Sequence, residues 1–241
     1  MIISHQHRYL FVELPRTGST AIARELMKNY GGRKILYKHS TFQDFLRKAT
    51  PEEKKYFVFS CIRNPLDEAV SRFFKLKTDH RGQFTNPEVI QRRWSIVSRL
   101  DRSISRFLRR TDADFPTFFK KCYRVTYNSW AHLSHKEFDC LLRFENLIAD
   151  FDQALRRIGI EPIRPLPVLN QTNGRARDFA SYYTPEIIPR AKKVFGPFLK
   201  EWGYQFPPHW GDAPLSWWNL FEFQFLNLFR VLYWRHLRFR I

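Results

Sequence analysis

Two short segments carry side chains whose types and spacing suit the binding of phosphate groups. The first is Leu14–Thr20 (LPRTGST), which follows an aromatic, β-branched run typical of a strand and precedes a helical pattern. Free amide groups at the start of a helix attract anions, and Gly18 lets the backbone approach them closely. Arg16 adds a forked positive charge, and hydroxyl groups follow on Thr17, Ser19 and Thr20. The alternative is an ordinary helix start capped by Ser19.

The second segment is Arg63-Asn64-Pro65, which ends the continuous apolar run Tyr56–Ile62. Such a run is typical of a buried strand in a parallel sheet, so Arg63 is expected at a strand end. Ser71 lies eight residues later, in the second turn of a helix predicted over Asp67–Lys77. An arginine and a hydroxyl group in these places suit a second phosphate group. The alternative gives Arg63 a carboxylate partner and leaves Ser71 as a small packing residue.

Strands and helices alternate along the chain, which predicts an α/β domain. Strands are expected at Tyr9–Leu14, Lys34–Tyr37, Tyr56–Ile62 and Phe138–Arg143. Helices are expected at Ser19–Tyr30, Phe42–Lys48 (capped by Thr41), Asp67–Lys77, Pro87–Arg124, Leu147–Ile158 and Pro185–Trp202. The expected architecture has three layers, with a central, mainly parallel sheet flanked by helices. Ligands of such sheets bind beyond the carboxyl ends of the strands.

The composition favours an anionic partner. The chain carries 41 Lys and Arg residues against 23 Asp and Glu residues, a formal net charge of +18. A phosphate-bearing molecule, a glycan, a nucleic acid or an acidic membrane surface would match that charge. A hydrophobic content of 44% excludes disordered and collagen-like classes for most of the chain. Three cysteines without C-x-x-C spacing argue against a disulfide scaffold and a zinc ribbon, so reduced thiols are expected.

The beginning of the chain does not resemble a signal peptide, because His5, His7 and Arg8 stand where its apolar core would be. A spanning helix is not expected either, since no run of about 18 residues is free of charge. These features predict a cytoplasmic protein.

The proline-rich stretch after residue 206 predicts a boundary. The expected division is a domain over residues 1–206 and, over residues 207–241, a linker with an aromatic, amphipathic helical tail. The tail is suited to a membrane interface, to a second subunit or to the body of the protein itself. Residues 92–124 hold ten basic side chains, three of them at seven-residue spacing on one helical face: Arg92, Arg99 and Arg106.

Taken together, the two segments resemble the motifs of the sulfotransferases that use 3′-phosphoadenylyl sulfate (PAPS), in the carbohydrate-type and bacterial branch. That family has a P-K/R-T-x-S-T loop after its first strand, matched here by Pro15–Thr20. Its second motif, R-N-P followed by S-x-F/Y, is matched by Arg63-Asn64-Pro65 and Ser71-Arg72-Phe73. Further similarity lies in Arg143–Leu147 (RFENL), Asn170–Asn173, Tyr182–Glu186 and Trp202–Tyr204, so the resemblance covers about residues 8–206. Many members carry lysine where Arg16 stands.

The resemblance implies a P-loop-like fold and a PAPS-dependent enzyme that releases adenosine 3′,5′-bisphosphate (PAP) and needs no metal. Arg16, Thr17, Gly18, Ser19 and Thr20 would bind the phosphosulfate. Arg63 and Ser71 would bind the 3′-phosphate, and Arg175 would belong to a basic loop over the nucleotide.

Two residues are candidates for the base that removes the acceptor proton. His39 follows a short strand between the two motifs and has a suitable ordinary pKa, and Glu13 is the reserve candidate. Arg16 stays protonated, so its catalytic role is to stabilise charge.

The implied acceptor is a hydroxyl group of a carbohydrate or glycolipid, and the basic residues favour an acidic acceptor. Nucleic acid is not expected as a partner.

A P-loop kinase or nucleotide hydrolase is an alternative, although the Walker pattern G-x-x-x-x-G-K-[ST] is absent from the sequence. A non-catalytic module that binds polyanions or membranes is another alternative, and it leaves the two ordered motifs unexplained.

Overall fold

The computed structural model describes residues 1–91, 95–167, 176, 178–212 and 214–237. The chain forms two compact units. The first unit comprises Met1–Asn64, Asn128–Gln171 and Leu226–Ile241, and the second comprises Pro65–Tyr127 and Thr172–Phe225.

A five-stranded sheet lies in the first unit. Its strands are β1 (Ile2–Ser4), β2 (Tyr9–Phe11), β3 (Arg33–Lys34), β4 (Phe57–Ile62) and β5 (Cys140–Arg143). The spatial order is β3-β1-β2-β4-β5. Strands β2, β4 and β5 pair in parallel, whereas β1 runs antiparallel to both β2 and β3. Four of the five strands therefore point the same way, which confirms the expected mainly parallel sheet.

Helices cover both faces of this sheet. They are α1 (Ser19–Asn29), α2 (Phe42–Leu46) and α7 (Leu147–Arg157). Alternate residues of β2 and β4 enter two separate clusters, because successive strand side chains point to opposite faces. One cluster joins Phe11 and Phe59 to apolar residues of α1 and α7, and the other joins Leu10 and Val58 to residues of α2. The three-layer arrangement is confirmed.

The sequence reading missed strand β1. Its three residues are too few to show an alternating pattern, and its partner is the neighbouring β2, with Ile3 opposite Leu10. Strand β3 is also earlier and shorter than expected, at Arg33–Lys34 instead of Lys34–Tyr37. The left-handed backbone of Leu36, with a φ of 56°, interrupts the extended chain there.

The second unit is helical. Its helices are α3 (Pro65–Lys77), α4 (Pro87–Gln91), α5 (Ile96–Thr111), α6 (Phe115–Cys122) and α8 (Ile188–Trp202). They pack around an aromatic cluster that includes Phe73, Phe118 and Phe195. A final helix, α9 (Trp217–Leu232), begins in the second unit and ends in the first.

The continuous helical region expected over Pro87–Arg124 is wrong, because the structure divides it into α4, α5 and α6. Helix α5 ends where Asp112 adopts a left-handed conformation, with a φ of 46°. Helix α6 begins at a new cap, where the Asp114 carboxylate accepts a hydrogen bond from the Thr117 amide. The short sequence Asp112-Ala113-Asp114 thus ends α5 and begins α6.

None of the helices in the described ranges combines the length and the apolar character needed to cross a bilayer. The division into residues 1–206 and 207–241 stays a prediction.

A buried histidine pair in the first unit makes stability depend on pH. The rings of His132 and His135 lie 4.9 Å apart, and His135 is 1% exposed. Burial, with a smaller contribution from the charge of His132, lowers the pKa of His135 well below its ordinary value. The native state thus keeps this ring neutral while the unfolded chain takes up a proton.

We therefore expect the free energy of unfolding to fall as the pH drops below about 6.5, by up to about 1.4 kcal/mol per pH unit from this group. Urea denaturation at several pH values measures the slope. His135→Phe should flatten it, whereas the exposed control His209→Gln should keep it. An unchanged slope in His135→Phe would show that another group causes the acid sensitivity.

Candidate active site

The parallel strands β2, β4 and β5 bring three chain segments together at their carboxyl ends. Phe11 lies opposite Phe59, and Ile62 lies opposite Arg143. The segments that follow are the loop Leu14–Ser19, Arg63-Asn64 and Phe144-Glu145. This sheet edge is where α/β proteins bind ligands.

The loop between β2 and α1 folds around one carbonyl group. The hydroxyl groups of Thr17 and Ser19 both donate to the Leu14 carbonyl oxygen, at 3.1 and 2.6 Å. Arg16 and Gly18 adopt left-handed conformations, with φ values of 66° and 76°. Gly18, not Ser19, is the N-cap of α1, so the alternative of an ordinary helix start capped by Ser19 is wrong.

This geometry leaves the start of α1 suited to an anion. Within the described residues, no side chain caps the first turn of the helix. The Ala21 amide donates to the Gly18 carbonyl oxygen at 3.0 Å, whereas the amides of Ser19 and Thr20 precede the first intrahelical bond, and the helix dipole favours a negative partner for them. Arg16 adds a positive charge on the loop itself.

Arg63 lies directly against this loop. Its Nη1 donates to the Arg16 carbonyl oxygen at 3.0 Å, and its guanidinium carbon lies 3.9 Å from the centre of the Phe144 ring. The Arg63 residue is 6% exposed. A cation stacked on an aromatic face and bonded to a carbonyl group is fixed in position. Arg63 of the second predicted segment therefore lies beside Arg16 of the first.

Phe144 and Glu145 support this arrangement, a role that the sequence reading did not assign. The Asn64 amide donates to Glu145 Oε1 at 2.7 Å, while Phe144 stacks on Arg63. Both residues directly follow β5, the parallel neighbour of β4. The signal in the sequence was the pair of apolar runs ending in Ile62-Arg63 and in Arg143-Phe144, which a parallel register places side by side.

His39 lies near the same loop. Its Nδ1 lies 3.1 Å from the Glu13 carbonyl oxygen, and a carbonyl oxygen only accepts, so Nδ1 carries the proton. This tautomer leaves the lone pair on Nε2, the atom that would accept a proton. Burial lowers the pKa of His39, and the charge of Lys38 adds to the effect. The ring is therefore neutral at pH 7, as a general base must be.

Lys38 is a second cation at the loop that the sequence reading missed. Its Nζ donates to the Thr20 hydroxyl oxygen at 3.2 Å. The contact joins the segment of His39 to the first turn of α1.

Glu13, the reserve candidate for the base, is engaged elsewhere. Its Oε2 accepts from the Met1 amino group at 3.1 Å, and both groups are buried. The Glu13 carboxylate is thus occupied by the Met1 amino group, whereas the contact of His39 with a carbonyl oxygen uses Nδ1 and not Nε2.

Two predicted site residues remain, Ser71 and Arg175. Ser71 lies in α3 of the second unit and is buried. Arg175 lies outside the described residues. Among the residues that are described, no three His, Cys, Asp or Glu side chains cluster as metal ligands would.

Gly18 offers a direct test of how the loop is held. An added Cβ would lie 2.7 Å from Leu147 Cδ2 and 3.3 Å from the Phe144 ring, at a φ of +76°. We expect Gly18→Ala to lower the free energy of unfolding by about 1–3 kcal/mol and to weaken PAP binding, because it displaces the ring under Arg63.

The matched control is Gly159→Ala. Gly159 has a φ of +78°, but an added Cβ there would meet nothing within 4 Å. This variant should show the backbone strain alone, with unchanged PAP affinity. Urea denaturation and calorimetry measure both quantities. Equal PAP affinity in the two variants would contradict the coupling between Gly18, Phe144 and Arg63.

Comparison with known proteins agrees with this geometry. The model of the Sulfotransferase family matches residues 1–195, which include the loop, His39, Arg63, Ser71 and the Phe144-Glu145 segment. Searches of curated proteins and of solved structures found no match. The match covers most of the chain, and the chain belongs to the sulfotransferase family.

Proposed function

We propose that the protein transfers a sulfuryl group from PAPS to a hydroxyl group of a carbohydrate or glycolipid. Family membership supplies the reaction class, and members generally use PAPS as the donor. The observation that carries the finer proposal is the contact of Arg63 with the Arg16 carbonyl group. PAPS bears phosphate on both sides of its ribose, so it needs two cationic groups close together.

The described residues fit such a donor. The first turn of α1, the Arg16 side chain and Lys38 offer donors to a phosphosulfate group. Arg63 would hold the 3′-phosphate, and Ser71 is proposed as its second ligand because of the R-N-P and S-x-F resemblance. Arg175 is proposed for the nucleotide on the same basis.

PAPS supplies an activated sulfuryl group whose leaving group is the 5′-phosphate of PAP. Arg16 and the amide groups of the loop would stabilise the negative charge that develops on the leaving oxygen. His39 Nε2 would take the acceptor's proton as the acceptor oxygen bonds to sulfur and the bond from sulfur to the phosphate oxygen breaks. The products are the sulfated acceptor and PAP, with the proton on His39.

Helix α5 supports an acidic acceptor. Its arginines follow one another at spacings of three, four, three and one residue, so they share one helical face. All are exposed or half-buried: Arg99, Arg102, Arg106, Arg109 and Arg110. Leu108 and Ser105 on the other side are buried. We propose that this face attracts an anionic glycan or headgroup.

We also propose that the protein acts in the cytoplasm. A reducing compartment is compatible with its three free thiols.

The test is transfer of labelled sulfate from PAPS to a panel of acidic glycans, neutral glycans and glycolipids. Labelled product without added Mg²⁺, together with equimolar PAP, is the expected result. Mg²⁺-dependent turnover of ATP with no sulfate transfer would instead support a kinase or hydrolase. Salt-sensitive binding of polyanions with no PAP affinity would support a non-catalytic module.

A further inference from the structure

Helix α9 turns an apolar side to solvent. More than half of the large apolar residues that are exposed among the described residues lie on it or directly after it. Six of them, exposed by 49% to 64%, form what we call the aromatic stripe: Trp217, Trp218, Phe221, Phe225, Leu228 and Phe229. Their spacing places them on one side of the helix, and that side carries no charged residue.

The side of α9 away from the stripe is held by the protein, through the buried Phe223 and through two polar contacts. Glu222 Oε2 accepts a hydrogen bond from the Thr126 amide at 2.9 Å, and Asn227 Oδ1 accepts one from Asn128 Nδ2 at 3.0 Å. A surface helix usually buries its apolar side and exposes its polar one. Helix α9 buries the apolar Phe223 on the side that meets the protein and exposes a second apolar side, the stripe, opposite it.

The end of the helix is also anchored. Trp234 stacks on Trp130, with ring centres 4.9 Å apart. Arg235 donates to the Leu133 carbonyl oxygen at 3.1 Å and pairs with Glu137. These contacts hold the residues that follow α9 on the first unit.

We propose that the aromatic stripe docks the protein on an anionic membrane surface. Helices that lie in the membrane interface combine Trp, Phe and Leu on one side with nearby basic residues. The stripe has that composition, and the sequence places Arg238 and Arg240 a few residues after it. The net charge of +18 attracts an acidic lipid surface.

The same charge opposes a second copy as the occupant. Two chains of net charge +18 would repel each other when brought together, whereas acidic headgroups compensate the charge. Docking would bring the enzyme to hydroxyl-bearing headgroups or glycans at the membrane surface.

The experiment compares vesicles of phosphatidylcholine alone with vesicles that also contain phosphatidylserine, by flotation of the full chain. Wild-type protein should float with the acidic vesicles and less with the neutral ones. The stripe variant Trp217→Ser/Phe221→Ser/Leu228→Ser should lose at least about tenfold in partitioning. The control Val97→Ser/Leu100→Ser/Ile163→Ser removes equally exposed apolar side chains elsewhere and should bind as wild type.

Sulfate transfer to a soluble acceptor should be equal in all three proteins, which separates docking from catalysis. Equal partitioning of the stripe variant and the control would overturn the proposal. So would absence of wild-type binding to acidic vesicles. A wild-type dimer in sedimentation that the stripe variant converts to monomer would likewise overturn it in favour of a second copy.

Discussion

Arg63→Ala is expected to weaken PAP binding about 100-fold, a loss of about 3 kcal/mol. The reason is the removal of a buried cation that would otherwise be paired with the 3′-phosphate. Titration calorimetry with PAP measures the change. Arg63→Lys should fall between wild type and alanine, because a lysine keeps the charge but loses the forked geometry.

Arg63→Ala also removes the hydrogen bond to the Arg16 carbonyl group, which supports the loop. A second ligand is therefore needed to separate loss of this support from loss of the phosphate contact. Adenosine 5′-monophosphate (5′-AMP) lacks the 3′-phosphate. If Arg63 binds that phosphate, Arg63→Ala should leave 5′-AMP affinity nearly unchanged. If both ligands lose affinity equally, Arg63 only supports the loop. Arg164→Ala, which removes an equal charge paired with Glu25 in the same unit, is the control and should not alter PAP affinity.

His39→Asn is expected to reduce kcat by about 10²–10⁴-fold with little effect on PAP affinity. Asparagine tolerates the left-handed backbone of this position, where φ is 64°, and can still donate to the Glu13 carbonyl group. It lacks the Nε2 lone pair. The substitution therefore removes the base while keeping the support of the loop.

The pH profile is the decisive readout for His39. Burial lowers the pKa of this ring, so the wild-type rate should be maximal near pH 7 and fall only below the ordinary histidine range. The acid limb reflects protonation of Nε2, and it should disappear in His39→Asn. A variant that is slow but keeps the acid limb would assign the base to another residue.

The sheet could be predicted because strand β4 is apolar at every position but Ser60. Five of its six residues are buried, which is typical of a parallel strand covered on both faces. Strand β1 and the division of the Pro87–Arg124 region were not predicted, because each is marked in the sequence by only about three residues. A three-residue strand is defined by its partner, and the Asp112–Asp114 turn competes with strong helical periodicity on both sides.

At the candidate site, the sequence indicated the loop and Arg63, but not what holds them. The stacking of Phe144 and the bond from Asn64 to Glu145 depend on the register of β4 against β5, which residue types do not state. Helix α9 shows a similar limit. A helical wheel separates its polar and apolar sides, but only the contacts of Glu222 and Asn227 show which side meets the protein.

Calorimetry without metal, comparing the affinities of the wild-type chain for PAP and for 5′-AMP, tests directly whether the protein binds a donor with two phosphate sites. If the 3′-phosphate meets a buried, prepositioned guanidinium, PAP should bind at least about 100-fold more tightly than 5′-AMP. Equal affinities would mean that the protein does not bind the 3′-phosphate. They would contradict both the role of Arg63 as the ligand of that phosphate and the proposal of PAPS as the donor.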